Sequence, residues 1–303
     1  MIKKSQIFNF DAYSDFSKLL YGKNFDFPLN TKTIKDVKNK NEARVITIKS
    51  SSRIDLFILR NFPNLKLLVT RTVGKDHINL VDCQKAKVVV ANIPDYGAFS
   101  VAEHVFALLL TLTRKIIFLD KEIRNGRFAS TGGKGFTLEG KTFGIIGAGR
   151  IGVESIKLAK AFKMKVLAYD MYPNELLAKK VGFSYTSLDH LLTKSDVISL
   201  NIPLTKETRY LIGEKEIRKM KRGLVLINTS RGAIIDTTAL IGSINKFRYI
   251  GLDVLEDENK FSEKHPLLNF KNVVITPHCA FFTDKSSRTI AKKTKEIILN
   301  FFK

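Results

Sequence analysis

The chain has 303 residues, 44% of them hydrophobic, and a formal net charge of +22 at pH 7. That length holds two domains of ordinary size, each with its own core, and the composition makes a soluble α/β protein the default class. No apolar run reaches the ~18 residues of a membrane span, and the lysines are spread from Lys3 to Lys303.

No stretch joins a dense basic run to stacking aromatics, so the charge reads as a solvated surface and no nucleic-acid partner is expected. Two cysteines, Cys83 and Cys279, are too few for a disulfide framework and suit a reducing cytoplasm. The N-terminal MIKKSQIFNF has no apolar stretch long enough for an export signal, so a cytoplasmic protein without membrane attachment is expected.

In chain order, Val45–Ile48, Leu67–Thr70 and Val88–Ala91 read as buried strands. Ser100–Leu119 has apolar residues at helical spacing and reads as one long helix bridging two domains. Asn125–Lys141, rich in Gly, Ser and Lys, reads as a loop. A new unit follows, with strands at Phe143–Ile146, Lys165–Tyr169, Asp196–Ile202, Leu224–Asn228, Tyr249–Asp253 and Val273–Thr276. Helices are expected at Arg150–Phe162, Glu214–Met220, Thr237–Ile244 and Ser286–Phe301. Strands alternating with helices point to βαβ units and a parallel sheet. Six strands after Lys141 fit one doubly wound nucleotide domain, and the three before it are too few for a second copy.

Gly147-Ala148-Gly149-Arg150-Ile151-Gly152 follows a strand and opens a helix. Glycines there permit a tight turn, close approach of backbone to a pyrophosphate, and close helix–strand packing. The helix N-terminus offers free N–H groups to the phosphates. Asp170 ends the next strand, where a carboxylate accepts hydrogen bonds from ribose hydroxyls and repels a 2′-phosphate. Met171-Tyr172-Pro173-Asn174 offers no cation for such a phosphate, so the expected cofactor is NAD rather than NADP.

Three further motifs sit at the ends of later strands, where open α/β sheets place their ligands. They are Asn228-Thr229-Ser230-Arg231-Gly232, the run from Gly251 to Glu258, and Thr276-Pro277-His278-Cys279-Ala280-Phe281-Phe282-Thr283. An arginine supplies a bidentate fork for a carboxylate. A histidine supplies a proton to a forming alkoxide, and a neighbouring carboxylate orients the ring and favours its acid form. Reduction of a 2-keto acid needs these groups.

From about Leu67 to Thr283, the order of these motifs resembles the D-isomer-specific 2-hydroxyacid dehydrogenase family. The resemblance implies two Rossmann-like domains: a doubly wound NAD-binding domain inserted in a flavodoxin-like substrate domain. The expected boundaries are 1–98 for the first substrate segment, 99–281 for the NAD domain and 282–303 for a helix returning to the substrate domain. It implies Arg231, Glu258 and His278 as catalytic residues, with Glu256 the alternative carboxylate. Cofactor contacts are implied at Gly147, Gly149, Arg150, Ile151, Gly152, Asp170, Ile202, Pro203, Thr208, Thr229, Ser230 and Asp253. The backbone N–H groups of Val73 and Gly74 would hold the substrate carboxylate, with Tyr96 and Phe281 lining the pocket.

Ile93-Pro94-Asp95-Tyr96, Ala102-Glu103-His104 and the aromatic pair Phe281–Phe282 are similar to bacterial D-lactate dehydrogenases. The likeness implies a small 2-keto acid in a cleft that closes about hinges near Asn92–Ser100 and Cys279–Lys285. It also implies a homodimer formed through the helix Ser100–Leu119. Asn201 stands where the family usually has histidine. Two alternatives accompany this reading: a glyoxylate/hydroxypyruvate reductase, or an NAD(H)-sensing binding protein of the same fold.

His104, His190 and His265 read as structural or surface residues, and Cys279 as a small pocket residue. No His/Cys/Asp cluster shows ligand spacing, so no metal is expected.

Overall fold

The computed structural model describes residues 2–3, 6–11, 29–30, 34 and 40–303. The chain divides into two compact units, Met1–Tyr96 with Phe282–Lys303, and Gly97–Phe281.

The first unit begins with β1 (Ile7–Phe10), β2 (Leu29–Asn30) and β3 (Val45–Ile48), then α1 (Leu56–Leu59), β4 (Leu67–Thr70), α2 (Leu80–Lys85) and β5 (Val89–Asn92). All pairs are parallel, in the order β2-β1-β3-β4-β5, the flavodoxin-like arrangement. β1, β3 and β4 are buried at every position, as a sheet covered on both faces requires.

Two of these strands are absent from the sequence expectation of three. In β1 the polar Asn9 interrupts the apolar run, and only the fold satisfies it, through a 2.6 Å bond from Thr47 Oγ1. β2 is two residues long, below the length at which alternation is readable. β5 starts one residue later than the expected Val88.

The second unit runs α3 (Ala98–Thr113), α4 (Ile116–Arg124), β6 (Thr142–Ile146), α5 (Arg150–Ala161), β7 (Lys165–Tyr169), α6 (Glu175–Val181) and β8 (Ser184–Tyr185). It continues with α7 (Leu188–Lys194), β9 (Val197–Leu200), α8 (Glu214–Lys219), β10 (Leu224–Asn228), α9 (Thr237–Gly242), β11 (Phe247–Leu252) and β12 (Val273–Ile275). Its seven strands are parallel, in the order β12-β11-β10-β9-β6-β7-β8. The seventh, β8, is again a two-residue strand that alternation does not reveal.

Successive strand residues serve opposite faces. Phe143, Ile145, Val197, Val225 and Ile227 pack with Val105, Leu109 and Ile156 on one side. Ile146, Ile198, Leu200, Leu226 and Ile250 pack with Leu191, Ile217 and Leu240 on the other. Each such fully buried side chain contributes about 1.5–3 kcal/mol of hydrophobic transfer. Strand order reverses between β6 and β9, which makes their C-terminal ends the expected ligand crevice.

The expected single helix Ser100–Leu119 is two helices. Lys115 adopts a left-handed backbone at φ +53° and separates α3 from α4. No glycine or proline marks the break. The Thr113 carbonyl instead accepts from Phe136 N–H, which ends the helical ladder through a distant loop. The chain closes with α10 (Asp284–Phe301), capped by the Thr283 hydroxyl on Ser286 N–H and returned to the first unit. Among the described residues no helix is long and apolar enough to cross a membrane.

Candidate active site

After β6 the chain turns through Gly147 at φ +96°, where a Cβ would lie 2.5 Å from the Asn201 carbonyl oxygen. Glycine is required twice over, by the backbone angle and by the neighbour. A Cβ on Gly152 would meet the Gly147 carbonyl oxygen at 2.0 Å, so α5 seats directly against the turn. Gly149 caps α5 with no side chain and faces open space. The first turn of α5, carrying the exposed Arg150 and half-buried Ile151, therefore has no side-chain cap at its N-terminus and is suited to an anion.

Asp170 follows β7 directly. Its carboxylate accepts from Ala148 N–H at 2.8 Å and from Tyr172 N–H at 3.0 Å, tying the glycine turn to the next strand. Across the switch point, Asn201 Oδ1 and Thr229 Oγ1 are buried without a hydrogen-bond partner. Leaving a buried polar atom unsatisfied costs about 1–3 kcal/mol. Two such atoms beyond β9 and β10, an uncapped helix and an open glycine face are what a bound dinucleotide would complete. The residues fit the group. Nearby, Thr208 Oγ1 donates to Pro203 O at 2.7 Å and closes the loop after Ile202 on itself, while Ser230 Oγ donates to Leu200 O at 2.7 Å.

Asp253, where the family resemblance implies a cofactor contact, is held by protein donors in this structure. Only 1% exposed, it accepts from Thr276 Oγ1 at 2.6 Å, Cys279 N–H at 2.9 Å and Ala280 N–H at 2.8 Å. His104 Nε2 lies 3.5 Å away and 2.9 Å from Thr276 Oγ1. Burial pushes the Asp253 carboxyl up, but these donors outweigh it and hold the group below the usual carboxylate range. The same burial, with Asp253 beside it, pushes the Cys279 thiol up, so no thiolate is favoured there.

That network carries the His278 loop. His278 N–H donates to the Asp253 carbonyl at 2.8 Å, and the residue is held at φ +50°. Its Nδ1 lies 2.9 Å from Glu258 Oε2, which leaves Nε2 as the outward nitrogen. Glu258 Oε1 accepts in turn from Leu255 N–H at 3.3 Å. Glu256, the alternative partner by spacing, is taken by the Tyr210 hydroxyl, with Arg209 3.6 Å away. Arg231 is half-buried after β10. Its backbone carbonyl is held by Asn228 Nδ2 at 2.9 Å, and its Nη1 donates to Ser230 O at 2.8 Å.

In the first unit, Val73 and Gly74 follow β4 and Val73 is 45% exposed. The Tyr96 carbonyl accepts from Ser286 Oγ at 3.1 Å. Phe281 is the last residue of the second unit and Phe282 the first of the returning segment. Lys49 Nζ stands 5.9 Å from the Phe282 ring centroid.

One group of three possible metal ligands exists among the described residues, which spacing along the sequence does not show. Ligand atoms of His104, Asp253 and Cys279 lie within 4.8 Å of one another. They come from α3, the end of β11 and the loop after β12, so sequence separation concealed them. The Asp253 oxygens already accept three protein donors, and the group acts as the support of the His278 loop. His104, read from sequence as structural, is a supporting residue whose partners Asp253 and Thr276 the sequence does not identify. It shares a helical face with Val101, Val105 and Leu108, all buried, and a histidine on such a face is the available signal.

Residues 106–280 match the family described as D-isomer specific 2-hydroxyacid dehydrogenase, NAD binding domain. The chain is 38% identical over 260 residues to a D-3-phosphoglycerate dehydrogenase of Archaeoglobus fulgidus, covering 85% of this chain but only 49% of that protein. It is 37% identical over 271 residues to a glyoxylate reductase of Thermococcus litoralis, covering 86% of this chain and 81% of that one. Among solved structures, a D-lactate dehydrogenase from Aquifex aeolicus complexed with NAD and lactic acid superposes with a TM-score of 0.85 at 36% identity, covering 98% of this chain and 95% of that one. On these matches the chain belongs to the D-isomer-specific 2-hydroxyacid dehydrogenase family, with the NAD binding domain of that family at residues 106–280.

Proposed function

We propose that the protein reduces a small, lactate-sized 2-keto acid to the D-2-hydroxy acid, working in the cytoplasm as a homodimer. The observation that carries the reading is the pairing of His278 Nδ1 with Glu258 at 2.9 Å, on a loop fixed by Asp253. Glu258 orients the ring, so the outward Nε2 gives its proton to the C2 oxygen as that oxygen gains charge. The Arg231 guanidinium offers a planar fork to the substrate carboxylate and polarises the adjacent carbonyl. The first unit's contribution is the pair of N–H groups at Val73 and Gly74, with Tyr96; Phe281 narrows the space beside C3. NAD(H) is held by the Gly147–Gly152 turn, the first turn of α5, Asp170, Thr229 and the loop from Ile202 to Thr208. When bound in reduced form, it supplies the hydride that C2 receives.

The size assignment draws on Phe281 and Phe282 and on likeness to the Aquifex aeolicus enzyme. Two free cysteines support the reducing compartment. The exposed Ile116, Ile117 and Phe118 of α4 support an apolar interface between subunits next to α3. Likeness to glyoxylate reductases favours a second substrate, glyoxylate.

The test is NADH oxidation with pyruvate, glyoxylate, hydroxypyruvate and larger 2-keto acids. Highest kcat/KM on pyruvate supports the proposal, and highest kcat/KM on glyoxylate replaces it with the reductase reading. No turnover on any of them overturns both in favour of a binding role. Arg231→Lys is expected to lower kcat/KM on the best substrate at least about a hundredfold, because a point charge does not reproduce the fork. Near-wild-type activity would remove the carboxylate anchor from Arg231.

A further inference from the structure

The loop after β4 is built in an unusual way. Three successive carbonyls are each gripped from the protein side: Thr72 O by Ile93 N–H at 3.1 Å, Val73 O by Asn92 Nδ2 at 2.7 Å, and Gly74 O by Thr72 Oγ1 at 2.6 Å. In a planar trans peptide the C=O and the following N–H point in opposite directions. Pinning Thr72 O therefore fixes the direction of Val73 N–H, pinning Val73 O fixes that of Gly74 N–H, and pinning Gly74 O fixes the plane that follows, so the glycine is held on both sides. Neither N–H has an acceptor among the described residues. Two adjacent N–H groups held outward form an anion-binding concavity.

Behind the loop lies a relay whose direction follows from proton counting. Thr70 Oγ1 is 2.7 Å from Thr72 Oγ1 and 2.9 Å from His77 Nε2. A hydroxyl has one proton to give. That of Thr72 goes to Gly74 O, so Thr72 accepts from Thr70. The Thr70 proton is then committed, so His77 Nε2 is the protonated nitrogen and donates. His77 is buried, which shields this chain from water.

We propose that Asn92 and Thr72, backed by Thr70 and His77, are positioning residues that hold Gly74 from both sides, so that its N–H stays open for the substrate carboxylate beside the Val73 N–H that Ile93 fixes. This rests on the reading that these two groups bind it. Without Asn92 the Val73–Gly74 plane can rotate and present the Val73 carbonyl oxygen to the anion, which repels it; without the Thr72 bond the plane after Gly74 can turn and take the freely rotating glycine with it.

The experiment measures KM for the best keto acid, kcat, NADH affinity, and oxamate affinity in the NADH complex. Thr72→Val and Asn92→Leu are each expected to raise KM and the oxamate Kd about five- to tenfold. NADH affinity should stay within about twofold, because Thr72 and Asn92 belong to the first unit and the glycine turn to the second. Thr72→Ser should recover the wild-type KM, which a purely packing role of the Thr72 methyl would not allow. If both Thr72→Val and Asn92→Leu keep KM within about twofold, the proposal is overturned. Should either fail to fold, His77→Leu against His77→Gln supplies the same readout from the back of the relay. Gln preserves a donor there and Leu does not.

A second measurement separates this inference from its foundation. In protein labelled with 15N-valine, the Val73 amide signal, identified through Val73→Ile, should shift on oxamate addition. No shift means that the N–H groups do not bind the carboxylate. A shift together with unchanged KM in the variants leaves that binding intact and removes only the positioning role.

Discussion

Two aspartates occupy equivalent places in the second unit and do different work. Each directly follows a strand and reaches across to backbone beyond the neighbouring strand. Asp170, after β7, takes Ala148 N–H beyond β6; Asp253, after β11, takes Cys279 and Ala280 N–H beyond β12. Burial separates them. Asp253 is 1% exposed and adds Thr276 and His104 to its donors, whereas Asp170 is half-buried with two backbone donors. A carboxylate has about four acceptor positions. Asp170 keeps some for the ribose hydroxyls it is proposed to bind, and Asp253 has spent its own on the His278 loop. Cover, rather than chemistry or topology, divides the acid proposed to bind a ligand from the one that holds a loop.

The largest effect is expected at the covered acid. Asp253→Ala should lower unfolding free energy by about 3 kcal/mol, since it strands several buried donors. It should also cost activity through the His278 loop. Chemical denaturation beside kcat/KM checks this, and a variant as stable as wild type would break the comparison. A second expectation concerns pH. The folded-state pKa of Asp253 is lowered, so its stabilisation is fully present above the unfolded value of about 3.9 and is lost as pH falls through the lower folded value. The stability gap between wild type and Asp253→Asn should therefore be level near neutral pH and close below about pH 4. A gap that closes as pH rises would contradict the assignment.

The smallest stability effect is expected at the uncovered acid. Asp170→Ala should cost under about 1 kcal/mol, because its site is open to water. Its consequence is in cofactor choice: the ratio of NADPH to NADH kcat/KM should rise about tenfold or more as the repulsion of a 2′-phosphate disappears. An unchanged ratio would take the ribose contact away from Asp170.

What sequence could and could not read follows the range of the interactions. The turn from Gly147 to Gly152 and Asp170 lie within one βαβ unit, so local spacing exposes them. The choice between Glu256 and Glu258 is not local. It depends on Tyr210, whose hydroxyl occupies Glu256 from the far side of β10 in sequence. Likewise, nothing near Lys115 announces a helix break, because the group that ends α3 is Phe136 N–H. The five-stranded sheet of the first unit was under-read for the same reason: Asn9 looks foreign to a buried strand until Thr47 is placed opposite it. His104 acquired its role only when α3 met the end of β11.

The left-handed backbone at His278 has a bearing on which sequences this site can sample. Non-glycine residues adopt φ +50° uncommonly, and Asn, Asp and His are the most enriched there, although Lys87, Lys115, Lys163 and Tyr210 are held at nearly the same angle elsewhere in this chain. Of these, only the imidazole ordinarily exchanges a proton between pH 5 and 8. A library randomised at this codon should therefore return two separate populations. Folded but inert proteins would be enriched in asparagine, aspartate and glycine, and active ones would carry histidine. The turn that presents the ring thus also acts as a filter on the alphabet available to the chemistry.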